Sequence, residues 1–126
     1  MARSASLIAI NQTRNVRLTE CARVADNPIT RIIGLLADKQ LAEGDGLWIL
    51  PCPSIHSFGM RFIFDAIFLD KELRVVHLIH EMKPWRMSSL IINKAHSVLE
   101  LPAGMIRQSG TEMGDQFEMK RDIFAR

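Results

Sequence analysis

The sequence has few cysteines, no long apolar run and almost no imbalance of charge. Its two cysteines, Cys21 and Cys52, allow at most one disulfide, which excludes a small scaffold built on disulfide bridges. No stretch approaches the roughly 18 apolar residues of a membrane span, and the apolar run at 7–10 is too short for a signal-peptide core. The chain as it stands is therefore expected in the cytoplasm, or in an exported or periplasmic location if a leader has been removed.

The formal net charge is only +2, from 16 basic and 14 acidic side chains. A nucleic-acid-binding protein usually concentrates its basic residues on one face, whereas the arginines here are spread along the chain. The nearest approach to a basic cluster, which we interpret as a solvated face, consists of Arg3, Arg14, Arg17 and Arg23. Composition therefore predicts neither a nucleic-acid partner nor a membrane span.

What the sequence does have is the composition of an ordinary globular domain, with 48% hydrophobic and 24% charged residues. Apolar segments between turns predict strands at 16–21, 47–50, 62–69, 74–81, 93–101 and 116–119, and an extended apolar segment at 55–61. One helix is predicted at 28–38, where Pro28 follows a capping residue and isoleucines recur at helical spacing. A single helical turn is predicted to begin near Gly104, and a hairpin loop at 70–73, although that loop has no glycine.

These elements predict an α+β fold, a compact β-rich single domain with a curled, mostly antiparallel sheet or a small β-barrel and one short helix. Residues 1–14 are expected to form a loosely held N-terminal arm. Residues 15–120 are expected to form the β-barrel-like domain, and residues 121–126 a tail.

Five blocks of sequence, in this order, are similar to the domain-of-unknown-function 192 family: RIIGLL, GDGLWILPCPSIHSFGMRFIFDAIFLD, RVVHLIHEMKPWR, AHSVLELPAGMI and MGDQF. The chain resembles in particular the subgroup in which a Pro-Cys pair and an Ile-His-Ser/Thr segment precede Gly-Met. Gly59-Met60-Arg61 stands where the family's general form has Trp-Met-Lys. The resemblance covers residues 16–119 and implies a compact, β-barrel-like α+β fold with a short helix. It implies no reaction.

Cys52 and His56 are the residues best suited to catalysis. An imidazole beside a thiol lowers the cost of forming the thiolate, which is the nucleophile of a Cys-His hydrolase or acyl transferase. Asp65 or Glu100 could orient that imidazole. The alternative is a buried cysteine next to a histidine that hydrogen-bonds to the backbone. The sequence leaves enzymatic activity open and favours its absence.

The same two residues could bind a metal ion together with His77, His80 or His96. No second pair of cysteines or histidines has the spacing of a zinc site, and His77 and His80 fall on opposite faces of the predicted strand. We therefore expect no metal site and no cofactor.

Ligand binding is best supported by the segment Lys83-Pro84-Trp85-Arg86. Tryptophan offers a flat apolar face, and an adjacent guanidinium can bind a carboxylate or phosphate through two hydrogen bonds. Asp65 lies in an apolar stretch and needs a partner such as Arg61 or Arg86, and Glu100 poses the same question. Such an ion pair would either lock the edge of a sheet or bind a ligand.

The favoured function is a small binding or accessory module. Its partner would be a small polar ligand, for example a carbohydrate, or a segment of another protein. A structural or assembly role beside an envelope or secretion system is a further alternative. The predicted ligand groove contains His56, Met60, Arg61, Asp65, Trp85 and Arg86.

Overall fold

The chain folds into two β-sheets and one short helix. The computed structural model describes residues 6–25, 41–51, 62–84 and 94–122. Helix α1 spans Met105–Ser109, close to the predicted helical turn, whereas the predicted helix at 28–38 lies outside the described residues. No helix in the described ranges is long and apolar enough to cross a membrane. The strands are β1 Ser6–Asn11, β2 Val16–Arg17, β3 Arg23–Ala25, β4 Leu47–Ile49, β5 Phe64–Leu69, β6 Val75–Met82, β7 Ser97–Pro102 and β8 Phe117–Asp122.

The smaller sheet has the strand order β2-β1-β8, and the larger has the order β3-β4-β7-β5-β6. All neighbouring strands are antiparallel except β3 and β4, so the predicted β-rich, mostly antiparallel α+β fold is confirmed. Two single bridges join the sheets, one between Leu7 of β1 and Ala22 and the other between Arg74 and Gln116. Of the two predicted architectures, the described residues therefore form open sheets and not a closed barrel.

Strand β1 is the central strand of the smaller sheet. It pairs with β8 over six residues, from Ser6 opposite Asp122 to Asn11 opposite Phe117. Leu7 and Ala9 are buried. The loosely held arm expected at residues 1–14 thus gives way, from Ser6 onwards, to a fully paired strand. The reason is that β8 supplies backbone hydrogen bonds from the far end of the sequence, which local periodicity does not reveal.

The larger sheet is buried on both faces. Its inner face packs against β1, β8 and α1 and contains Ile67, Leu69, Val75, Leu99 and Leu101. Its opposite face, which we call the Glu100 face, contains Leu47, Ile49, Phe64, Ala66, Phe68 and Val98. The alternation of these residues along each strand follows the period of two expected for a pleated strand.

The hairpin predicted between β5 and β6 is present without a glycine in its loop. Leu73 takes the left-handed conformation, with a φ of 66°, that glycine would adopt more readily. The Asp70 carboxylate compensates, because its Oδ1 accepts hydrogen bonds from the backbone N–H groups of Glu72 and Arg74, each at 2.9 Å. An aspartate that bonds the backbone two and four residues on can therefore replace glycine in setting this turn.

Candidate functional site

Both acidic residues that the sequence singles out, Asp65 and Glu100, lie in the described part of the structure. They lie on adjacent strands, β5 and β7, but on opposite faces of the larger sheet. The other predicted site residues lie outside the described residues: Cys52, His56, Met60, Arg61, Trp85 and Arg86. Their roles remain predictions.

Asp65 is completely buried on the inner face, and its carboxylate accepts three backbone hydrogen bonds. Oδ1 accepts from the N–H of Glu81 at 2.8 Å, where β6 bulges away from β5. Oδ2 accepts from the N–H groups of Gly104 at 3.1 Å and Ile106 at 2.8 Å. One side chain thereby satisfies donors at a β-bulge and at the start of α1, which would otherwise lack partners.

Two of the residues whose N–H groups bond to Asp65 have left-handed backbone conformations. Gly104, which precedes α1, has a φ of 94°, and Glu81 has a φ of 50°. Left-handed backbone costs a non-glycine residue about 1–2 kcal/mol. An arginine partner was expected for Asp65 from the sequence, whereas the described partners are backbone N–H groups. The signal in the sequence was Gly104, two residues after the strand-ending Pro102, which predicts a helix start with unpaired N–H groups.

Glu100 lies on β7 in the middle of an apolar surface. The register places it opposite Leu47 of β4 and Ala66 of β5, and Val98 lies two residues before it on the same face. Only 5% of the residue is accessible to solvent. The described residues make no hydrogen bond to its carboxyl group.

Burial raises the pKa of Glu100 to about 8, and the charge of Arg23 opposes this rise only in part. Transfer of a carboxylate out of water is costly unless it is paired and hydrogen-bonded, so the side chain keeps its proton instead. At neutral pH Glu100 is therefore mainly a neutral carboxylic acid. A neutral acid can donate a hydrogen bond as well as accept one.

The start of β5 and the end of β6, which border two chemically rich parts of the sequence, lie at the same end of the larger sheet. Phe64, the first residue of β5, pairs with Met82 at the end of β6 and with Pro102 at the end of β7. Phe62 packs against the Glu100 face here, and Ile63 is exposed. In the sequence, Arg61 directly precedes Phe62, and Trp85 directly follows Pro84, the second residue after β6.

A second polar cluster, which sequence reasoning missed, joins the β1–β2 turn to the loop before β8. Asn11 donates from Nδ2 to Thr111 at 3.0 Å and to Asp115 at 2.9 Å. Arg14 donates to the same carboxylate at 3.0 Å, and the N–H of Glu112 does so too, at 3.0 Å. Burial acts to raise the pKa of Asp115, but the hydrogen bonds from Arg14 and Asn11 lower it overall. This cluster is fully hydrogen-bonded, so we assign it to stability.

A cleft of about 580 Å³ lies between β2, the following loop and α1. Its charged members are Arg17, Glu20 and Glu43, and the first two form an exposed ion pair at 3.0 Å. The cleft contains none of the residues that the sequence predicts for the ligand groove. Among the described residues, no group of three or more histidine, cysteine, aspartate or glutamate side chains is arranged to hold a metal ion.

Comparison with protein families and curated sequences gives one consistent result. Residues 9–119 match the model of DUF192, a family described as an uncharacterised ACR. A UPF0127 protein of Pyrococcus horikoshii is 34% identical over 116 residues, covering 86% of this chain and 96% of that protein. A UPF0127 protein of Pyrococcus furiosus is 33% identical over 119 residues, covering 90% and 99% of the two chains.

Two crystal structures share the fold. A protein of unknown function from Novosphingobium aromaticivorans has a TM-score of 0.73 at 18% identity and covers 90% of this chain and 83% of its own. A protein from Sinorhizobium meliloti, named "putative transcription regulator", has a TM-score of 0.74 at 21% identity and covers 93% and 94% of the two chains. At these identities the likeness concerns the fold alone.

Proposed function

The chain belongs to the DUF192 family of uncharacterised proteins, and we propose that it is a small binding or accessory module for a small polar ligand. The proposed binding site is the end of the larger sheet where β5 begins, next to the buried carboxyl group of Glu100. A segment of a partner protein is the alternative occupant.

The position of Glu100 is the observation that supports this function most. An acid buried among Leu47, Ala66 and Val98 does not help the sheet to fold, because an apolar side chain of similar size would cost less. Ionisable groups with strongly shifted pKa values are found preferentially at functional sites. Ligand sites typically combine an apolar lining with a few polar groups that orient the ligand.

The pairing of Phe64 with Met82 supports a site formed by residues from two segments of the sequence, 56–61 and 85–86. His56, Met60 and Arg61 precede β5, while Trp85 and Arg86 follow β6, so we expect both groups to approach the same end of the sheet. In this proposal Asp65 has a positioning role, since its three hydrogen bonds hold the bulge of β6 and the start of α1 next to that end.

The test is a thermal-shift panel of sugars, nucleotides, organic acids, amines and divalent metals. A ligand present at a hundred times its dissociation constant adds about 2.7 kcal/mol, or about 10 °C in Tm for a domain of this size. We expect one chemical class to raise the Tm of the wild type and to raise it much less in His56→Ala and Glu100→Leu. Glu43→Gln, at an exposed position, is the matched control and should respond like the wild type.

A panel without any shift in the wild type would contradict the binding of a small ligand and favour a partner segment. An equal shift in the wild type and both site variants would show that a ligand binds, but away from the Glu100 face.

A further inference from the structure

The cleft between β2 and α1 lies along the free edge of the smaller sheet, where β2 is an edge strand. Five consecutive residues, 16–20, line it. Side chains alternate between the two faces of a strand, so a cleft over one face would be lined by every second residue, whereas a cleft at the edge is lined by all of them. The opposite wall consists of Met105, Gln108 and Ser109 of α1.

The backbone N–H and C=O groups of Arg17 point towards this cleft. In an antiparallel pair, residues alternately bond to the neighbouring strand and point away from it. The N–H of Leu18 donates to the carbonyl oxygen of Ala9 at 2.8 Å, so Arg17, which lies opposite Ile10, is a residue that points away from β1. The described residues make no hydrogen bond to either of these two backbone groups.

The loop before β4 covers the rest of this edge. The N–H groups of Glu20 and Cys21 both donate to the carbonyl oxygen of Gly44, at 2.9 Å and 3.2 Å. The free edge is therefore a short stretch around Arg17 with a wall on each side. The volume of about 580 Å³ is within the range of roughly 300–1,000 Å³ that is typical of ligand sites.

We propose that this cleft binds a short, extended and basic segment of a partner protein as an added strand beside β2. The main chain of the segment exchanges hydrogen bonds with the N–H and C=O groups of Arg17, which is the mode of recognition that a free strand edge offers. Val16 and Met105, two half-buried residues of the lining, provide apolar contacts to one side chain of the segment. This site is separate from the one proposed above and does not depend on it.

The charges of the lining favour a basic segment over an acidic one. Arg17, Glu20 and Glu43 contribute one positive and two negative charges. Arg17 and Glu20 form an ion pair, whereas Glu43 forms none within the described residues. A lysine or arginine of the segment would therefore neutralise the remaining negative charge, and an acidic residue would be repelled.

The experiment is a fluorescence-anisotropy titration of the full chain with two labelled pentapeptides, Thr-Val-Lys-Val-Thr and Thr-Val-Glu-Val-Thr, both amidated at the carboxyl end. At low salt we expect the lysine peptide to bind about three- to fivefold more tightly, which is the size of effect that exposed charges give. This preference should decrease at high salt because exposed charges are screened. Lysine amide alone, which has the charge but no strand, should not compete.

Two substitutions of Arg17 should have opposite effects. Arg17→Pro removes the free N–H but no hydrogen bond to β1, so it should weaken binding of the lysine peptide at least about tenfold with a Tm close to that of the wild type. Arg17→Gln keeps the N–H and leaves both carboxylates of the lining unbalanced, so it should bind the lysine peptide more tightly than the wild type. Glu20→Gln should lose the preference for lysine, while Glu72→Gln, an exposed position in the β5–β6 loop, is the matched control.

Methylated peptides test the added strand in the unaltered protein. Methyl groups on the backbone nitrogens of alternate residues block one edge of a strand, so methylation of either the odd or the even residues of the lysine peptide should abolish binding. Binding of both methylated peptides, or wild-type affinity in Arg17→Pro, would overturn the inference. Tighter binding of the glutamate peptide or competition by lysine amide would also overturn it. If neither peptide binds the wild type, the inference fails, while the thermal-shift panel still decides the function proposed above.

Discussion

Glu100 should make the stability of this protein fall as the pH rises from acidic to mildly alkaline. In the folded state burial raises its pKa to about 8, whereas in the unfolded chain its pKa returns to the ordinary value near 4.5. Between these two values the folded state holds a proton that the unfolded state releases. Unfolding is thus favoured progressively, by up to about 1.4 kcal/mol per pH unit.

The largest effect follows from the difference of about 3.5 pKa units. Multiplied by 1.36 kcal/mol per unit, it amounts to an upper limit of about 5 kcal/mol between pH 4.5 and pH 8. This is a large part of the 5–15 kcal/mol that typically stabilises a domain. Glu100→Gln has nearly the same shape but cannot ionise. Its stability relative to the wild type should therefore increase steadily across this range.

The assay is urea unfolding of the wild type and Glu100→Gln at unit intervals from pH 5 to pH 9. Glu43→Gln serves as the control, because Glu43 is exposed and its loss should leave the pH profile of the wild type unchanged. The reasoning is refuted if the difference in unfolding free energy between the wild type and Glu100→Gln is the same at pH 5 and pH 8.

Substitutions at three positions and one labelling experiment test other parts of the structure. Asp65→Ala removes the acceptor of three backbone N–H groups and should lower the free energy of urea unfolding by about 3–5 kcal/mol. Asp65→Asn keeps one oxygen and should cost less, and equal, small losses of stability in both variants would contradict the role given to this carboxylate. Folding lowers the pKa of Asp115, so its carboxylate stabilises the protein above its unfolded pKa and loses that contribution as the pH falls. Asp115→Asn should therefore destabilise the protein at neutral pH and lose less stability than the wild type in acid, and a wild-type acid profile in this variant would contradict the prediction. Gly46→Ala should lower the free energy of unfolding by about 1–3 kcal/mol, since the new methyl group would lie 3.1 Å from the carbonyl oxygen of Glu100 and 3.1 Å from Thr19. An unchanged midpoint of urea unfolding would show that the neighbouring atoms move aside at little cost. Cys21 should react slowly with iodoacetamide near neutral pH, because its hydrogen bond with Asp45 and its partial burial raise its pKa. Much faster labelling of Cys52 in the same protein would support the hypothesis of a Cys-His enzyme, and equally slow labelling of both cysteines would contradict that hypothesis.

Local patterns in the sequence predicted the local parts of the fold. The hairpin of β5 and β6, the short strand β4 after a glycine turn and the helical turn after Gly104 each depend on a few neighbouring residues, and each is present. The strand β1 was missed because its six residues acquire their structure from β8. The parallel pairing of β3 with β4 was likewise not predicted, since nothing within either strand specifies the direction of its neighbour.

For the candidate site, the sequence indicated which acids matter but not what they contact. Asp65 and Glu100 were both expected to need partners, because both occur in apolar stretches. Their environments differ because the register pairs Asp65 with Leu101, the residue after Glu100, and successive residues of a strand point to opposite faces. The two acids therefore lie on opposite faces of the sheet. One acid thereby contacts the start of a helix and the other an apolar surface beside Arg23. Neither outcome can be derived without the register of β5 and β7.

The pairing of β1 with β8 also constrains the order in which this protein can fold. Gln12 and Glu118 form a hydrogen bond across 106 positions of sequence, and the smaller sheet exists only when both strands are present. Closing so long a loop is entropically costly and slow compared with forming the β5–β6 hairpin. During synthesis the larger sheet can therefore assemble while its inner face still lacks β8. We expect that apolar face, with Leu99 and Leu101, to be the surface through which the nascent chain aggregates unless it is covered.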